Sequence, residues 1–184
     1  MKKFLTTKEL ILCALFASLT AICSQIAIPL GFTPIPFTLQ LFSVFISAII
    51  LGPKLGSISQ VTYVLVGTVG FPVFAQFSGG INKVLGPTGG YIISFPIAAF
   101  IVGYLALKPN IFINALGIIL GLICIYGIGT VQLSLITNMS FNKALLAGVI
   151  PFVPFDLVKI FLSLVIGMQI RKALIKSSLF STNY

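Results

Sequence analysis

The chain has 184 residues, of which 58% are apolar and 7% charged. A soluble domain carries about 25% charged residues, so the composition excludes a soluble globular protein and points to an integral membrane protein without a sizeable soluble part. The net charge of +9 is no nucleic-acid footprint, because the basic residues stand singly or at the two ends, and the absence of His removes the commonest metal ligand and general base.

Membrane-crossing helices need about 20 mostly apolar residues each. Six such stretches are predicted, at 9–29, 37–52, 55–74, 88–107, 111–135 and 145–170, so the expected fold is all-α: one transmembrane domain over 1–184, a bundle of six helices. The first follows Lys2 and Lys3 as a secretory signal would, but its apolar run is of spanning length and more spans follow, so it reads as a retained helix. Ala14 and Ser18, and Ala17 and Ala21, are small residues four apart on it. That spacing admits a close neighbouring helix, either inside the bundle or from a partner. Cys13, Cys23 and Cys124 lie in apolar runs without metal-ligand spacing and read as buried hydrophobes; no metal site is expected.

Turn chemistry marks the breaks: 29–36, Gly52-Pro53, a Gly-rich stretch at 78–90, Lys108-Pro109-Asn110, and 138–143. The Gly-rich connection reads F-P-V-F-A-Q-F-S-G-G-I-N-K-V-L-G-P-T-G-G-Y over 71–91. Its aromatics are Phe71, Phe74, Phe77 and Tyr91, and its hydrogen-bonding groups include Gln76, Asn82 and Thr88. Apolar walls with a few placed polar groups describe a small-molecule pocket, while an interfacial turn in an aromatic belt has the same composition. No G-x-x-x-x-G-K-[ST] phosphate loop occurs anywhere, so the chain has no recognisable ATPase of its own.

The last span carries the strongest signal. The chain has two acidic residues, Glu9 and Asp156, and Asp156 sits in an apolar run three residues before Lys159. A charge at mid-membrane costs roughly 2.5–3.5 kcal/mol and by default marks a functional site. On a helix the two lie on one face, continued by Ser163 and Gly167. Pro151 and Pro154 kink this helix or start it at Phe155; a start there turns free backbone N–H groups towards a ligand and the Asp156 carboxylate. A purely structural ion pair is the competing reading.

Basic residues set the orientation. With the N-terminus inside, Lys2, Lys3, Lys8, Lys54, Lys108, Arg171, Lys172 and Lys176 are inner, and Lys83 and Lys143 are outer. Both termini are then cytoplasmic. Asp156 precedes Arg171 by 15 residues, roughly 22 Å along a helix, which places it in the outer leaflet of a core about 30 Å thick.

The stretches P-F-T-L-Q (36–40), L-G-P-K-L-G (51–56), G-F-P-V-F-A (70–75), Gly79-Gly80, G-P-T-G-G-Y (86–91) and P-F-x-P-x-D-x-x-K (151–159) occur in one order over about residues 10–170. In these motifs the chain resembles the BioY family, the biotin-specific substrate-binding subunits of energy-coupling-factor transporters. The resemblance implies six helices in the cell membrane and an outward-facing biotin site. It also implies transport powered by partners: a transmembrane scaffold subunit and ATPase subunits that alone bind ATP. No cofactor of the chain itself is implied. Carried onto this sequence, the substrate-binding residues are Asn82, Asp156 and Lys159, with Gly86, Thr88, Gly90, Tyr91, Phe74 and Gln40 around them. Ala14, Ala17, Ser18 and Ala21 match the first-helix pattern that docks on the scaffold. An acceptor-only carboxylate suits the ureido N–H donors of biotin, and a donor-only ammonium suits the ureido oxygen or the acid tail. Two other classes stay open on the residues alone: a self-sufficient carrier with Asp156 as its proton site, and a membrane enzyme with a Ser or Cys nucleophile.

Overall fold

A computed structural model describes residues 5–108 and 110–177; Lys2, Lys3, Pro109 and the tail from 178 lie outside the described residues. The fold is all-helical, as expected, apart from one small strand pair. The helices are α1 (Thr7–Gln25), α2 (Gln40–Val69), α3 (Ile81–Val84), α4 (Gly89–Leu105), α5 (Ile111–Thr137), α6 (Phe141–Gly148) and α7 (Val153–Lys176). Between α1 and α2, β1 (Ala27–Ile28) pairs antiparallel with β2 (Phe37–Thr38). Among the described residues, α1, α2, α5 and α7 are long and apolar enough to cross a membrane, and α4 is a shorter apolar helix of 17 residues.

Helices and expected spans therefore do not map one to one. The second and third expected spans are two limbs of α2, meeting at Gly52, whose backbone leaves the helical region (φ 79°, ψ −176°). Gln60 Nε2 donates to Ser47 Oγ at 3.0 Å across 13 residues, a separation of about 20 Å in a straight helix. Gln40 Nε2 donates to the Tyr63 hydroxyl at 2.6 Å across 23 residues. The limbs thus fold back side by side. Glycine is required at 52 because a side chain strains at this φ, and Pro53 opens the second limb, where a missing N–H costs little. The first limb, 40–51, rises about 18 Å, short of a core about 30 Å thick.

The last expected span is also divided. α6 ends at Gly148, a turn containing Pro151 follows, and α7 begins at Val153 rather than Phe155. The expected array of free N–H groups is largely consumed: the Val153 N–H donates to the Val149 carbonyl at 3.2 Å, that of Asp156 to the Phe152 carbonyl at 2.8 Å, and Pro154 has none.

α2 is the hub, packing against α1, α4 and α7. Val44, Phe45, Ala48, Tyr63, Phe95 and Val102 are almost wholly buried around it. Thr20, Ser43, Ser47 and Gln60 are fully buried where α1 meets α2 and satisfy one another, as buried polar groups must. Leu15, Ile22, Leu65, Phe100, Ile123 and Phe161 are each more than half exposed, an outward apolar belt suited to lipid. At one end of the bundle Arg171 Nη1 donates to the Ile49 carbonyl at 2.6 Å beside the Gly52 reversal. The helix directions put Lys8, Lys54, Lys108, Lys172 and Lys176 at this end too, and Lys83 and Lys143 at the other.

Candidate functional site

The first turn of α7 places Asp156, and Lys159 follows three residues on along the same face; both are buried, 2% and 4% exposed. Lys159 Nζ donates to Asp156 Oδ1 at 2.5 Å. From α5 the Tyr126 hydroxyl donates to Asp156 Oδ2, also at 2.5 Å. The Lys159 ammonium lies 4.2 Å from the centroid of the Phe37 ring, a cation–π contact that partly replaces lost hydration. A carboxylate has about four lone-pair sites, so Asp156 can accept further donors. Along the same face Ser163 Oγ donates to the Phe42 carbonyl at 3.3 Å and Gly167 lies against Ile49, the stripe of polar and then small residues expected from the sequence.

Asp156, Lys159 and Tyr126 open onto a cavity of about 110 Å³. A water needs about 10–15 Å³ on that measure, so the space suits a small organic molecule. Of the residues expected to bind substrate, Gln40, Phe74, Thr88 and Tyr91 line it with Asp156 and Lys159. Tyr91 is anchored by donating its hydroxyl to the Gly148 carbonyl at 3.1 Å. Asn82, Gly86 and Gly90 are not in the lining. Asn82 is exposed on the four-residue helix α3, and its neighbour Lys83 is among the lining residues. The Gly86 carbonyl accepts from Gln132 Nε2 at 2.8 Å. Gly90 serves close packing: a Cβ there would come within 2.6 Å of the Ile128 carbonyl and 3.0 Å of Gly129 Cα in α5. The aromatics of the 71–91 connection divide: Phe74 is buried in the wall, whereas Phe71 and Phe77 are mostly exposed and join the outer belt.

The segment over the cavity is tied down by residues the sequence did not single out. Gln25, at the end of α1, accepts from the Phe77 N–H at 2.8 Å and donates to the Phe74 carbonyl at 3.2 Å. Ser24 Oγ donates to the Val73 carbonyl at 2.6 Å. These bonds hold a turn in which Gln76 and Phe77 have positive φ (60° and 52°). Gln132 donates to the carbonyls of Val84 and Gly86, both at 2.8 Å. The available signal was an amide-bearing side chain in a mostly apolar helix; for Tyr126 it was a hydroxyl among largely apolar neighbours.

The four small residues of α1 do not form one outward surface. Ala14 and Ser18 are exposed, whereas Ala17 is 7% exposed within the core and Ala21 packs against that core. At 100° per residue, Ala17 turns away from the face that Ala14 and Ser18 share. Among the described residues no group of three or more His, Cys, Asp or Glu could hold a metal.

The BioY family model matches residues 1–176. The chain belongs to the BioY family. The match runs wider than the 10–170 covered by the motifs. A probable biotin transporter BioY from Pyrococcus horikoshii is 45% identical over 164 residues, 89% of this chain and 96% of that relative. The biotin transporter BioY of Thermotoga maritima is 42% identical over 166 residues, 90% of this chain and 96% of that one. In three dimensions the chain is similar to the crystal structure of the S-component for biotin from an ECF-type ABC transporter. The TM-score is 0.84 at 29% identity, over 91% of this chain and 95% of the other.

Proposed function

We propose that this family member is the biotin-binding subunit of an energy-coupling-factor importer. It sits in the cell membrane as a bundle of six membrane segments, one of them the short first limb of α2, with both termini cytoplasmic and the cavity facing out. The observation that carries the reading is the buried Asp156, held by Lys159 and Tyr126 at the wall of a cavity of ligand size. Asp156 accepts from the ureido N–H groups of biotin, Lys159 donates to a ligand oxygen, and Phe74, Tyr91 and Phe95 pack on the apolar rings and chain. The names of the relatives and of the solved neighbour supply the vitamin. The chain performs no covalent chemistry and needs no cofactor. Lacking a phosphate loop, it takes its energy from a scaffold subunit with ATPases, docked on the exposed face of α1 around Ala14 and Ser18.

Equilibrium binding of labelled biotin to the purified chain tests this reading, followed by uptake into vesicles that hold the chain alone or with scaffold and ATPases. Saturable binding is expected, with accumulation only when partners and ATP are present. Absence of binding contradicts the proposal. Accumulation by the chain alone, driven by a proton gradient, assigns it instead to the carriers.

A further inference from the structure

The charges around the cavity do not balance. Its lining includes Lys83 and Lys159 but a single carboxylate, Asp156. Lys159 is already paired with Asp156 and covered by the Phe37 ring. Glu9, the only other acidic side chain in the sequence, closes the capping box of α1 with Thr6 at the opposite end of the bundle. No acidic side chain of this chain can therefore neutralise Lys83, and the cavity is complementary to a ligand bearing one negative charge.

The position of Lys83 gives that charge a place. Lys159 is buried, whereas Lys83 is exposed on α3 and still belongs to the cavity lining. The backbone of α3 is fixed on both sides: the Lys83 N–H donates to the Gly80 carbonyl at 3.1 Å, and the next carbonyl, that of Val84, accepts from Gln132 at 2.8 Å. Val84 is buried, so α3 is seated on the bundle while the exposed Lys83 contributes to the cavity lining.

We propose that Lys83 is an anion subsite at the cavity mouth, taking the carboxylate of the ligand's flexible tail while the polar ring goes inward to Asp156. The inference rests on the biotin reading above and deepens it, for it assigns the two lysines to opposite ends of the ligand. Lys159, already neutralised, donates to an uncharged ring oxygen. Lys83 meets the acid. It also leaves a lone cation where an anion first arrives, which speeds encounter at low salt.

Biotin and its methyl ester separate the two ends, since only the tail charge differs. Their dissociation constants are to be measured on the purified full chain, as wild type, Lys83→Ala and Lys83→Arg, at low and at moderate ionic strength. Exposed ion pairs are weak and screened, so the expected preference of wild type for biotin over the ester is about fivefold at low salt and smaller with added salt. Lys83→Ala should lower that preference to under twofold, and Lys83→Arg should retain it. An unchanged preference in Lys83→Ala overturns the subsite, as does an equal weakening of biotin and ester, which marks a merely structural lysine. If wild type binds neither compound, the biotin reading itself has failed, which is visible before any substitution is made.

Discussion

The two donors on Asp156 do different work. Lys159 supplies the compensating charge, and removing one partner of a buried ion pair typically costs about 3–5 kcal/mol because the other charge is left alone. Tyr126 supplies no charge; it holds Oδ2 and so fixes how the carboxylate presents its remaining lone pairs. Tyr126→Phe should therefore weaken biotin binding about tenfold, in line with about 1–3 kcal/mol for an unmet buried acceptor, while the variant still purifies as a folded, monodisperse protein. Wild-type affinity in a binding isotherm would show that Tyr126 does not position the carboxylate. Asp156 and Lys159 were legible in the sequence because a charge in an apolar run is costly. Tyr126 was not, since its partner lies 30 residues on. Asn82 lies outside the cavity lining: it is exposed on α3, a helix of four residues in which one step turns a side chain by about 100°, and its neighbour Lys83 is among the lining residues.

At the level of elements, glycine decides which helices touch. A Cβ on Gly103 of α4 would lie 2.6 Å from the Gly52 carbonyl carbon and the Pro53 nitrogen, at the reversal of α2. Gly127 on α5 would meet nothing within 4 Å. Overpacking costs about 1–3 kcal/mol even where side chains can yield, and at Gly103 the obstacle is backbone. Gly103→Leu is expected to lower the unfolding midpoint in detergent by many degrees or to abolish folding, whereas Gly127→Ala should match or slightly exceed wild type. Equal midpoints would contradict this packing. The sequence revealed the break at Gly52-Pro53 because turn residues mark it, and Pro151 and Pro154 signalled only a kink or a later helix start inside one expected span. Its apolar runs did not show that the first break is a tight reversal within one helical stretch. Nor did they separate α6 from α7. The two-residue strands are too short to leave any alternating pattern.

For the whole molecule, the fold separates the end with the cavity from a basic end, and α1 runs the length between them. Its C-terminal residues Ser24 and Gln25 hold the segment over the cavity, and its middle exposes Ala14 and Ser18. If the scaffold docks there, Ser18→Trp should leave biotin binding to the isolated subunit within a few-fold of wild type and abolish uptake in cells expressing the partners. Ala17→Trp, in the core, should damage folding and binding together. Surviving uptake in Ser18→Trp, with the protein at normal level in the membrane, would move the docking surface elsewhere.

Everything proposed here depends on the Asp156–Lys159 pair being a ligand site rather than a packing device, and the double substitution Asp156→Leu/Lys159→Leu tests that most directly. Replacing a buried pair by apolar residues of similar size is often neutral or stabilising for the fold, so loss of binding in a well-folded double variant reports on the site alone. Labelled biotin titrated into the purified double variant is expected to give no saturable binding at concentrations at least a hundredfold above those that saturate wild type. Near-wild-type affinity would show that the pair only packs the helix, and would contradict the account.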